Sequence, residues 1–274
     1  MAAEGKNYDP AALDRAERHF WRDVWESVPA EVAAEHGIEL RDFGPIQASV
    51  VADLPQVGML NLLLGAAEDP GGEGLAAASE WAAARGVPAP YVPLTPGLPG
   101  SAAAEAWLQA NGFERAYAWM KFVRGAHLPR FPAPDDVEVV ELTAPDQEPF
   151  GTIAAIGFEL PSWGADFFTH LPGRPGWRCY VARIDGEAQG CAAMLIDEGI
   201  AEFGVAATLE GARGRGCQTA LLHRRIVDAA EADCHTLFVE TGERVPGKPS
   251  ASYRNILRAG FKEAYLRPNW RRRT

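Results

Sequence analysis

Residues 208–222 read Thr-Leu-Glu-Gly-Ala-Arg-Gly-Arg-Gly-Cys-Gln-Thr-Ala-Leu-Leu. An apolar run over 200–207 leads into this stretch, and a helical pattern over 220–232 leads out of it. Arg213-Gly214-Arg215-Gly216 therefore sits where the first turn of a helix begins. Glycine permits a sharp turn there, and the first helical N–H groups have no partner within the helix. Those N–H groups, with about half a positive charge from the helix dipole, favour an anion at one spot. The chemistry expected here is docking of a phosphorylated cofactor. A nucleotide P-loop does not fit, because no Gly-Lys-Ser/Thr follows the glycines.

Elements able to position this turn can be read on both sides of it. Strands are expected over 137–142, 177–184, 188–196, 200–207, 235–241 and 261–267, with Asp185-Gly186 as a hairpin turn. Helices are expected over 149–157, 220–232 and 250–259, the last stopped by Gly260. A short aromatic helix or lid is expected over 161–168, where Trp163, Phe167 and Phe168 either wall an acceptor pocket or fill core.

The first half carries a similar series. A helix is expected over 10–27, capped by Asp9 with Pro10 at its first position, and another over 29–36. Three strands follow over 38–43, 46–54 and 57–64. The turn Asp69-Pro70-Gly71-Gly72-Glu73-Gly74 precedes a helix over 75–85. A strand over 90–94, a helix over 102–110 and one or two strands over 113–124 complete the half. Pro129, Pro132 and Pro134 give 125–136 a linker composition, which puts a domain boundary between 1–130 and 131–274.

The two halves share more than element order. Gly112-Phe113 recurs as Gly260-Phe261, and Ala116-Tyr117 as Ala264-Tyr265, at one constant offset. Both segments read as a helix end, a glycine and a strand. Two copies of one α/β fold of roughly 130 residues are expected. The first copy has Asp69 and Glu73 where the second has arginines, and carboxylates repel a pyrophosphate. The first copy is expected to have lost any phosphate site.

With these residues in view, the second half resembles the Gcn5-related N-acetyltransferase superfamily. Its cofactor motif, Arg/Gln-x-x-Gly-x-Gly/Ala, is matched by Arg213-Gly214-Arg215-Gly216-Cys217-Gln218, except that Gln218 replaces the final Gly or Ala. The family's last helix commonly ends in Gly-Phe, as here at Gly260-Phe261. The resemblance covers about residues 135–270. It implies an α/β (α+β) fold of two tandem domains, each a mixed, mostly antiparallel twisted sheet flanked by helices. It also implies acetyl-CoA, or another acyl-CoA, as co-substrate. The pyrophosphate would rest on the N–H groups of Arg213, Gly214, Arg215, Gly216, Cys217, Gln218 and Thr219, with the Thr219 hydroxyl as a further donor. The pantetheine arm would run along Val205, Ala206, Ala207 and Thr208, where that strand splays from the next. Asn255 is a further candidate for contact with the arm.

Acyl transfer to an amine needs a base for the amine proton, donors for the oxyanion and a proton for the leaving thiolate. Many family members use a tyrosine four residues before the Gly-Phe glycine as the acid. Ile256 stands there in this chain. Tyr253, on nearly the same helix face, is the replacement candidate. Glu202 is the first candidate base and Glu240 the second, the latter on condition that burial raises its pKa. The oxyanion would take a backbone N–H near Ala206 or Ala207.

The formal net charge of −11 argues against nucleic acid as a partner. No apolar run reaches the roughly 20 residues that span a bilayer, and the first residues carry no apolar signal region. A cytoplasmic protein is expected. Cys179, Cys191, Cys217 and Cys234 form no Cys-x-x-Cys pair, and no Cys/His spacing suggests a metal. The expected partner is a small-molecule amine, with the chain either a monomer (an intrachain pseudo-dimer) or a homodimer. Two rival functions remain: a non-catalytic CoA-binding or interaction module, and an aminoacyl transferase using charged tRNA. The acidic charge of both halves speaks against the second.

Overall fold

The computed structural model describes residues 8–145, 149–247 and 250–273. The elements in chain order begin with α1 (Pro10–Glu26), α2 (Ala30–His36), β1 (Ile38–Phe43), β2 (Ile46–Val51) and β3 (Leu63–Leu64). Then come α3 (Glu73–Ala83), β4 (Val92–Pro93), α4 (Ser101–Ala110) and β5 (Phe113–Gly125). The remainder are β6 (Glu138–Leu142), α5 (Phe150–Gly157), α6 (Asp166–Thr169), β7 (Trp177–Ile184), β8 (Glu187–Asp197), β9 (Ile200–Thr208), α7 (Cys217–Glu231), β10 (Thr236–Gly242), α8 (Ala251–Arg258) and β11 (Lys262–Arg272). Asp9 caps α1 as expected, its Oδ1 accepting the Ala11 N–H at 2.9 Å. None of the helices is long and apolar enough to cross a membrane among the described residues.

The chain forms two compact units, and each draws on separated stretches. One holds residues 8–22, 33–119 and 265–273; the other holds 23–32 and 120–264. Residues 265–273, expected to end the second copy, thus lie in the first unit, where Trp270 pairs with Val92 of β4.

In the first unit β1, β2 and β3 form an antiparallel meander. A parallel bridge, Leu62 to Tyr91, links β3 to the start of β4. Val50, Leu63, Leu75, Trp81, Leu108 and Trp270 meet in its core. The strand expected over 57–64 shrinks to two residues. Asn61 is the cause: its Nδ2 donates to the Leu54 and Val57 carbonyls, and its Oδ1 accepts the Val51 N–H at 2.8 Å. Those bonds close 52–60 into turns and use backbone groups that a longer ladder would need.

The second unit has the mixed, mostly antiparallel sheet flanked by helices that the sequence predicts. Its order is β10-β9-β8-β7-β6, with β10 parallel to β9 and the other pairs antiparallel. Leu221, Leu222 and Ile226 of α7 pack with Phe203, Met194 and Tyr180 on one sheet face. Helix α5 covers the other face of β7, β8 and β9. Phe167 and Phe168 are fully buried beside α5 rather than at an opening. The sequence places both helix ends at Gly112 and Gly260, and both adopt a left-handed φ, +78° and +85°.

Candidate functional site

Two departures from regular pairing shape β9. Its parallel register with β10 ends at Phe203 and Val239, although β9 continues to Thr208 and β10 to Gly242. The strands therefore splay, as expected from the sequence. On the other edge Cys191 pairs with Ala207 but Ala193 pairs with Gly204, which leaves one extra residue in β9. Val205 absorbs this bulge with φ +45°, an uncommon conformation for a β-branched residue. Burial of Val205 and a Cys191 thiol directed at its carbonyl hold the bulge in place.

The glycine turn follows. A short 3-10 turn, Glu210–Ala212, leads to Arg213 in an extended conformation. Gly214 and Gly216 take φ +80° and +94°. The left-handed φ at Gly216 favours glycine, and a side chain there would also crowd Pro134 carbon atoms at 3.1 and 3.2 Å. The first helical hydrogen bond of α7 is Ala220 N–H to Gly216 O, at 2.9 Å. The N–H groups of Cys217, Gln218 and Thr219 precede that ladder and point out of the helix end. No side chain caps Gly216.

The turn and the splay open onto one cleft of about 820 Å³. Ala206, Ala207, Thr208, Arg213, Gly214, Gly216, Cys217, Gln218, Thr219, Tyr253 and Asn255 all line it. The residues fit a phosphorylated, extended ligand: an N–H cradle with an exposed arginine at one end and, beyond it, a strand edge that has parted from β10. Arg215 does not join them. Its guanidinium donates to Asp185 at 3.1 Å on the β7–β8 turn, and it does not line the cleft. Val205 is buried behind its neighbours.

Gln218, the departure from the glycine motif, has a partner. Asn255 Nδ2 donates to its Oε1 at 2.7 Å, and Arg258 Nη1 donates to Asn255 Oδ1 at 3.3 Å. This chain of bonds joins the first turn of α7 to α8.

The three candidate catalytic side chains sit differently. Tyr253 lines the cleft, but its hydroxyl donates to Glu263 Oε1 at 2.5 Å, and Arg244 stacks over its ring at 4.3 Å. Burial, and then the bond to Glu263, push its pKa up to about 12. Glu240 lies one residue beyond the last β9–β10 rung and forms an ion pair of 2.6 Å with Lys121 Nζ on β5. Glu202 is one residue before that rung and 5% exposed. It alternates with Phe203, whose ring packs with α7, so its side chain lies on the α5 face. Neither Glu202 nor Glu240 lines the cleft itself.

Sequence reasoning missed two cations. Lys121 falls within the strands expected over 113–124, and nothing local in the sequence marks its burial. Arg225 carried a readable signal: it interrupts the stripe of α7 that also contains Cys217 and Leu221. It is 1% exposed yet lines the cleft. Its Nη1 donates to the Ala193 carbonyl beside the bulge at 3.0 Å, and its Nε to the Leu221 carbonyl at 3.2 Å. The guanidinium lies over the Phe203 ring at 4.6 Å. Burial pulls its pKa down to about 10, because no carboxylate offsets the desolvation.

The corresponding turn of the first unit is closed. Asp69 Oδ2 accepts the Leu75 N–H at 2.8 Å, placing the chain's own carboxylate at the start of α3. A side chain on Gly72 would fall 2.1 Å from the Trp107 ring, so that indole covers the turn.

The fold that carries the splayed strands and the left-handed glycine turn is that of solved GCN5-related N-acetyltransferases. No family model and no curated protein matches the sequence. Solved structures do. A GCN5-related N-acetyltransferase from Kribbella flavida matches at TM-score 0.58 and 17% identity, over 93% of this chain and 95% of that one. One from Sphaerobacter thermophilus matches at 0.56 and 16%, over 83% and 76%. A tandem GNAT protein from the clavulanic acid biosynthesis pathway matches at 0.56 and 18%, over 82% and 77%.

Proposed function

We propose that this protein is an acyl-CoA-dependent N-acyltransferase acting on a primary amine of a small molecule, with acetyl as the reference acyl group. The observation that carries the reading is the Gly216 turn, which directs the first N–H groups of α7 into the same cleft as the end of β9 that has parted from β10. Coenzyme A would supply an activated thioester. Gly216, Cys217, Gln218 and Thr219 would hold its pyrophosphate by their N–H groups, with Arg213 adding charge. Ala206 and Ala207 would bond the pantetheine amides along the splay.

The overall change is amine plus acyl-CoA to amide plus CoA thiol. The amine nitrogen forms a bond to the thioester carbon, the carbon–sulfur bond breaks, the amine loses a proton and the thiolate gains one. Glu202, one residue from the apex of the splay, is the proposed base. Glu240 is committed to Lys121 and serves as its counter-ion. Tyr253 is committed to Glu263, which leaves protonation of the thiolate to solvent in the open cleft. The first unit is proposed to be a degenerate copy whose turn Asp69 and Trp107 have closed.

A second reading, a non-catalytic CoA-binding module, draws on the commitment of Tyr253 and the burial of Ile256. Calorimetry with acetyl-CoA and free-thiol release across an amine panel separate the two. Arg213→Glu is expected to abolish binding while the circular dichroism spectrum stays native. Unchanged affinity in that variant defeats the cofactor reading, and tight binding without turnover on any amine favours the module.

A further inference from the structure

We propose that Arg225 is a recognition residue for a carboxylate on the donor's acyl group, so that the cleft suits a dicarboxylic acyl-CoA, such as malonyl- or succinyl-CoA, better than acetyl-CoA. The proposal rests on the cofactor reading above.

A guanidinium buried to 1% is costly unless its charge is met. Arg225 has five N–H donors. Its bonds to Leu221 and Ala193 use Nε and one N–H of Nη1, and Nη2 makes no hydrogen bond among the described residues. No aspartate or glutamate pairs with it there. The side chain nevertheless lines the cleft. A ligand carboxylate is the group that would meet both the charge and the open donors, in the fork geometry that arginine favours.

Position decides between donor and acceptor. Cys217, Leu221 and Arg225 are four residues apart, form one stripe of α7 and all line the cleft. Arg225 lies about 12 Å along the helix from Cys217, at 1.5 Å rise per residue. A ligand anchored by its pyrophosphate at the first turn runs down that stripe and brings its acyl end toward Arg225. The Phe203 ring beneath the guanidinium lies at the last rung before the splay, so this is the inner end of the cleft. Glu202 is on the opposite sheet face, away from the Arg225 guanidinium.

The test is calorimetry on the full chain with CoA, acetyl-, butyryl-, valeryl-, malonyl- and succinyl-CoA. Malonyl- and succinyl-CoA are expected to bind about tenfold or more tighter than their uncharged counterparts butyryl- and valeryl-CoA, as suits a charge-assisted bidentate contact. Arg225→Met is expected to remove that difference while leaving the affinity for CoA within about threefold. Equal binding of charged and uncharged acyl groups by the wild-type chain overturns the proposal, and this arm stands even where the variant does not fold. A preference that survives in Arg225→Met overturns it as well. A flat acyl panel with an Arg225-dependent KM for carboxylate-bearing amines moves the residue to the acceptor and overturns the assignment to the donor. Failure of CoA itself to bind overturns the cofactor reading and this proposal with it.

Discussion

Asn255 donates to Gln218 at 2.7 Å, so the residue that breaks the glycine motif fastens the first turn of α7 to α8. A Gly or Ala at 218 could not make this bond. The larger side chain is turned to the flank of the cleft, and the backbone N–H of Gln218 stays ahead of the helical ladder. A double-mutant cycle on Gln218→Ala and Asn255→Ala is expected to show about 1 kcal/mol of coupling in urea unfolding. CoA affinity should fall several-fold in each single variant. Additive effects would mean that the pair does not act as a unit.

Gly216→Ala tests the turn itself. A Cβ at φ +94° costs about 1–2 kcal/mol, and it would crowd Pro134 at 3.1 Å. Tm is expected to drop by about 3–6 °C. CoA affinity should fall about tenfold or more as the N–H groups rotate off the ligand. Gly214→Ala has no such neighbour, so its loss should be smaller in both measurements.

Much of this was legible in the sequence. The apolar run over 200–207 and the strand set before the Asp185-Gly186 turn match β9 and β7 within a residue at each end. Left-handed glycines at 112, 214, 216 and 260 follow from their places at helix ends. Long-range facts were not legible. Arg215 and Arg213 look alike in sequence, yet one pairs with Asp185 some thirty positions back and the other faces the cleft. Tyr253 and Glu240 had suitable chemistry, but Glu263 and Lys121 claim them through contacts that spacing does not encode. The membership of 265–273 in the first unit was hidden for the same reason: a strand's pattern names its faces, not its partner.

Stoichiometry tests the first unit. With Asp69 at the start of α3 and Trp107 over Gly72, calorimetry should find one CoA per chain. Asp69→Ala removes a buried carboxylate from a helix start, and a loss of about 1–2 kcal/mol of stability is expected. The variant should still bind one CoA. Two equivalents would mean that this turn retains a working site.

Tyr253 offers a pH test. Its folded pKa is raised toward about 12, above the ordinary tyrosine value, by burial and by the bond to Glu263. The folded state therefore holds this proton longer than the unfolded state does. Its contribution to stability is complete below pH 10 and is lost as pH rises from about 10 to 12. Tyr253→Phe should flatten the alkaline fall in stability over that window. Turnover between pH 6 and 9 should keep its profile, because Tyr253 stays protonated throughout. A lost alkaline limb of kcat in the variant would restore Tyr253 as the acid.

The two carboxylates at the apex of the splay should separate by phenotype. Glu240→Gln removes the charge 2.6 Å from a lysine that is 1% exposed. Breaking such a pair by one partner costs about 3 kcal/mol, so the expected reading is a marked fall in Tm with CoA affinity retained at low temperature. Glu202→Gln keeps the shape of the side chain and removes the basic oxygen. Its expected effect is on rate: a fall in kcat of about 10²–10⁴, with CoA affinity unchanged. Solvent-mediated proton removal would soften that loss, because Glu202 does not itself line the cleft. A Glu202→Gln variant of full activity would leave the amine to lose its proton to water alone and would remove Glu202 from the mechanism.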